Sequence, residues 1–86
     1  MRIYVYDTYV EAKSGQTMHF DVFMPVQDAD QAVAYARCWL RSIHEKEASI
    51  TTNECRFCHS EQTSDPTIVS AIEKQGYFIY KMEGCP

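Results

Sequence analysis

The sequence predicts an α+β domain, with elements in the order β-β-α-β-α-β and a mostly antiparallel sheet packed on one face by two helices. Three observations lead there. Two alternating segments rich in β-branched and aromatic residues are joined by turn residues near the start of the chain. Two later stretches carry helix caps around apolar residues at three- and four-residue steps. A last short run, Tyr77–Met82, again has strand composition. With 86 residues the chain has room for one core, so a single domain over residues 1–86 is expected.

Arg2–Val10 and Thr17–Met24 read as a β-hairpin, with Lys13-Ser14-Gly15-Gln16 as the turn between them. If Ser14-Gly15 is a two-residue loop, Ile3, Val5, Asp7 and Tyr9 share the core face with Met18, Phe20, Val22 and Met24. The opposite face then holds Tyr4, Tyr6, Thr8 and Val10 with His19, Asp21 and Phe23. Asp28, with Gln31 three positions later, forms an acidic variant of the capping box for a helix from about Ala29 to about Ile43. Ala29, Ala32, Val33, Ala36, Leu40 and Ile43 make its apolar stripe, widened by Trp39, and Arg37, Arg41 and Glu45 look outward. Cys38 is expected to behave there as a small apolar residue. After a polar connection, Ala48–Thr52 is a short strand candidate and Asn53–Asp65 reads as loop. Asp65 as N-cap, Pro66 at the first helical position and Gly76 past the end frame a second helix carrying Ile68, Val69 and Ile72.

The net charge of −4 comes from scattered acidic residues, with no Lys/Arg stripe to follow a phosphate backbone, so nucleic acid is not an expected partner. Apolar stretches are only a few residues long, far short of the roughly 18 that cross a bilayer, so a membrane is not expected either. The first residues alternate instead of forming a basic start and an apolar run, and a cytoplasmic location is the expectation. No glycine-rich phosphate loop, nucleophile elbow or His-Glu-x-x-His is present, which leaves the common enzyme classes without a foothold.

Cys55-Arg56-Phe57-Cys58-His59 is the strongest chemical signal. Two thiolates two residues apart can hold one tetrahedral ion from a tight knuckle, so a zinc site using Cys55, Cys58, His59 and Cys85 is one expectation, with His19 another conceivable ligand. The plainer reading packs the cysteines as small residues and leaves His59 to a local hydrogen bond. Covalent haem attachment needs an export signal, and a redox dithiol needs a helix N-terminus that lies too far along the chain, near Pro66. Asp7 breaks the core pattern between Val5 and Tyr9 and is expected to accept local hydrogen bonds. The two-residue-loop register puts Asp7 on the other face from His19 and Asp21, so a joint acid-base or metal cluster of the three, the lesser alternative, requires a strand end or a bulge. Tyr4, Tyr6 and Phe23, with Tyr77 or Tyr80, form an aromatic patch on the sheet face away from the helices, and such patches mark association surfaces. A small, non-enzymatic, self-associating binding or structural domain is therefore the leading expectation; a zinc domain and a thiol redox protein are the alternatives.

The stretches Val5–Val10 (VYDTYV), Thr17–Val22 (TMHFDV), Glu54–Glu61 (ECRFCHSE) and Gly76–Cys85 (GYFIYKMEGC) resemble a family of short bacterial proteins known only as a domain of unknown function. The resemblance spans nearly the whole chain. It implies a small α+β protein and brings no activity, substrate or catalytic residue.

Overall fold

The computed structural model describes residues 1–45 and 48–86. It contains β1 (Arg2–Glu11), β2 (Thr17–Met24), α1 (Ala29–Ser42), β3 (Cys55–Gln62), α2 (Pro66–Gln75) and β4 (Phe78–Lys81). The strands form one sheet in the order β3-β1-β2-β4 with every neighbouring pair antiparallel. The β-β-α-β-α-β order and the α+β class are as the sequence predicts. No helix among the described residues is long and apolar enough to cross a membrane.

The hairpin register departs from the expectation by one residue. Ala12 N–H donates to Gln16 O (2.7 Å) and Gly15 N–H to Ala12 O (2.8 Å), so the loop is the three residues Lys13-Ser14-Gly15. Gly15 has φ +89°, the left-handed conformation that ends such a loop and that favours glycine. Tyr4 therefore lies opposite Met24, Tyr6 opposite Val22, Thr8 opposite Phe20 and Val10 opposite Met18. Because side chains alternate along a strand, this shift moves the whole of β1 to the other side. Tyr4, Tyr6, Thr8 and Val10 belong to the face with Met18, Phe20, Val22 and Met24; Ile3, Val5, Asp7 and Tyr9 join His19, Asp21 and Phe23 on the second face.

The helices lie on opposite faces, a correction to the expectation that both pack on one. Ala32, Val33, Ala36 and Leu40 of α1 pack with Tyr6, Val10, Met18, Phe20, Val22 and Met24, whereas Ile68 and Ile72 of α2 pack with Ile3, Val5, Phe23 and Phe78. The reason lies in β1, whose two sides are both apolar near its start, so each needs a cover. Both helices are capped as their sequences dictate. Asp28 accepts from Gln31 N–H (3.1 Å) and Asp65 from Thr67 N–H (2.9 Å), and Gly76, at φ +97°, donates to Ile72 O (2.8 Å). Cys38 is exposed on α1, contrary to its expected apolar role, 3.7 Å from an Arg41 guanidinium nitrogen.

The third strand is also displaced from its expected place. Ala48–Thr52 is irregular chain, although Ile50 plugs the core while Arg37 donates to its carbonyl (2.9 Å). Part of the predicted polar connection before Ala48 lies outside the described residues. The strand is Cys55–Gln62, within the stretch read as loop. Its polar side chains are mostly exposed at the sheet edge, and backbone pairing to β1 holds it with little help from apolar alternation. A register shift beside Val5 and Tyr6 leaves Cys58 as a bulge in that pairing.

Candidate functional site

A helix of 10 residues spans about 15 Å, and α2 covers only the part of the second face built from Ile3, Val5, Phe23 and Phe78. The other part is open. Its floor is Asp7 on β1 with His19 and Asp21 on β2; Arg56 of β3 lies opposite Asp7 and Tyr80 of β4 opposite Asp21. A depression of about 360 Å³ adjoins it, lined by Asp7, Tyr9, Asn53, Glu54 and Arg56.

The three polar side chains make a tight group, with one ligand-type atom of each within 4.8 Å of the others. His19 Nε2 lies 2.6 Å from Asp7 Oδ1. The His19 ring is sandwiched against Tyr9, their centroids 4.0 Å apart and their planes 10° from parallel, which fixes the direction of Nε2. Asp21 stands directly opposite Asp7, and its Oδ1 is buried with no hydrogen-bond partner among the described residues. Burial pushes the Asp21 carboxyl up to about 7, helped by the neighbouring Asp7 carboxylate and opposed by His19 and His59. Chemically the group offers one imidazole nitrogen and two carboxylates at a water-accessible surface, a set able to share protons or hold a cation.

Asp7, His19 and Asp21 all stand out in the sequence, but a two-residue loop places Asp7 on the opposite side from the other two, whereas the three-residue loop brings them together. Glycine as the last of three loop residues was the signal for the correct register.

The residues of the expected zinc site are not brought together. Cys55 is buried on the α1 face, its Sγ 3.3 Å from the Thr8 hydroxyl, and burial pushes its thiol pKa up. Cys58 is exposed on the bulge, 3.2 Å from His59 Nδ1, while His59 Nε2 meets Glu61 (2.9 Å). Cys85 lies against the His19 carbonyl (3.3 Å), across β1 and β2 from the other two sulfurs. Strand alternation and sheet order, neither visible in the Cys-x-x-Cys-His spacing, account for this. The aromatic patch is likewise divided: Tyr4, Tyr6 and Tyr77 pack on the α1 side, Phe23 lies under α2, and Tyr80 alone faces the open area.

Residues 1–82 match a family model described as a domain of unknown function, DUF2024. The chain belongs to the DUF2024 family. This DUF2024 chain is also similar to the solved NMR structure of protein NE1680 from Nitrosomonas europaea, at 57% identity and a TM-score of 0.89, with 100% of each chain covered. No curated protein matches it. Family membership agrees with the resemblance carried by the four sequence stretches and adds no activity to the DUF2024 site.

Proposed function

We propose that this DUF2024 domain is a non-enzymatic binding domain that associates with a second copy of itself through the open half of the second sheet face. The observation that carries the reading is the incomplete cover provided by α2, which leaves Tyr9 and Tyr80 about half exposed (50% and 51%) on either side of the Asp7–His19–Asp21 floor. Large, stiff aromatic side chains that keep a polar end are favoured at interfaces. Charge supports a like partner: Arg56 stands beside Asp7 on this face, so the face carries both signs of charge and a two-fold arrangement can set the guanidinium of one copy against the carboxylates of the other. Four free cysteines and the acidic net charge of −4 are in keeping with a reducing, cytoplasmic setting and with partners other than nucleic acid.

The test is light scattering coupled to size-exclusion chromatography across a concentration series. Wild-type chain is expected to run as a dimer, and Tyr9→Ser/Tyr80→Ser to dissociate at roughly 10-fold or more higher concentration, from the loss of two interface aromatics. Phe57→Ser, on the α1 side of β3, should leave the dimer intact. A wild-type chain that stays monomeric at about 1 mM, where association would be worth less than ~4 kcal/mol, removes the proposal.

A further inference from the structure

We propose that Asp7, His19 and Asp21 form a site for one divalent first-row transition-metal ion. The argument begins with the pairing of β1 and β2, which sets two carboxylates directly opposite each other. Like charges in that position destabilise a sheet, and a buried carboxylate oxygen without a partner is costly; Asp21 Oδ1 is such an oxygen. A doubly charged cation between the strands offsets both. His19 supplies the third ligand, with its ring held by Tyr9 so that Nε2 faces the Asp7 carboxylate.

The geometry needs small adjustment. Nitrogen and oxygen ligands sit about 2.0–2.2 Å from such an ion, so neighbouring ligand atoms end roughly 3–3.5 Å apart. The ligand atoms now lie within 4.8 Å of one another, so the wider separations close slightly, while the 2.6 Å Asp7–His19 contact opens as the ion replaces the shared hydrogen. Imidazole with two carboxylates is a borderline-to-hard donor set, suited to manganese, iron or cobalt in the divalent state. Three protein ligands on an open face leave further positions to water. The ion and Arg56 of a second copy would draw on the same carboxylates, so the titration is run on dilute chain below the concentration at which it associates, and failure to bind metal there is distinguishable from failure to associate.

The experiment titrates full-length, reduced protein with Co²⁺ and follows visible absorption, with Mn²⁺ broadening of NMR signals as a map. Wild-type chain should take up one Co²⁺, without the intense near-ultraviolet band that a thiolate ligand brings. Affinity should fall roughly 10-fold or more in His19→Ala and in Asp21→Asn. It should hold in Cys58→Ser. Mn²⁺ should broaden His19 and Tyr9 first. Absence of binding, retention of affinity in Asp21→Asn, loss in Cys58→Ser, or broadening centred on His59 would each overturn the proposal. Asp21→Asn remains informative because it removes a charge without removing the side chain's volume, and its fold is checked by the same NMR spectrum.

Discussion

Asp21 ties the stability of the sheet to pH. Its carboxyl has an ordinary value of 3.8 and is pushed up to about 7 by burial and by Asp7, so the folded chain holds the proton where the unfolded chain releases it. The stabilisation is full below about pH 4 and is lost as pH rises through about 7, beyond which it stays lost. Asn at this position keeps the shape without the charge. Discounted for partial exposure, Asp21→Asn should stabilise chelator-treated protein by about 1–2 kcal/mol at pH 8 and leave it nearly unchanged at pH 4. Urea unfolding at both values checks this, and an equal effect at the two would show that the carboxyl is not perturbed in the fold. As for legibility, Asp7 announced itself in the sequence as the polar break between Val5 and Tyr9. Its partners did not, because whether His19 and Asp21 face it depends on how many residues make the turn between the two strands, at Lys13-Ser14-Gly15, not on any of the three identities.

At the scale of the elements, local chemistry was legible wherever it decided structure. The Asp28 and Asp65 caps, Pro66 and Gly76 bounded both helices because the groups they satisfy lie within a few residues. The strand Cys55–Gln62 was not legible. Seven of its eight side chains escape full burial, and its existence depends on the free backbone groups of β1 at sequence separations of 47 and more, which no local pattern records. That strand also sorts the thiols. Burial raises the pKa of Cys55 above its usual range, with the Asp7 charge adding to the rise and the Thr8 hydroxyl opposing it, whereas Cys38 and Cys58 are exposed. A disulfide reagent at pH 8 should therefore label Cys38 and Cys58 quickly and Cys55 only as slowly as the fold opens. Mass spectrometry of timed samples reads the order, and rapid labelling of Cys55 would contradict its buried position.

For the molecule as a whole, one sheet is the shared wall of two small cores, so neither helix can be dispensable. Leu40→Ala under α1 and Ile72→Ala under α2 each remove a buried side chain, and each should cost about 2–5 kcal/mol. Since β1 and β2 supply both cores, the two variants should melt in a single transition followed alike by near- and far-ultraviolet circular dichroism. A separate early transition in Ile72→Ala would mean that the second core is an appendage. The same wall has two outer borders, and they differ from its open surface in a way that limits growth. On β3 the bulge at Cys58 interrupts the run of free backbone groups and Arg56 and Glu61 flank it; β4 is only four residues long. Strand-to-strand addition at such borders is poorly templated, and it would never stop once begun, because each added copy presents a fresh border. Contact across the surface under a two-fold axis ends with two copies. The irregular strand thus favours a finite particle over a filament.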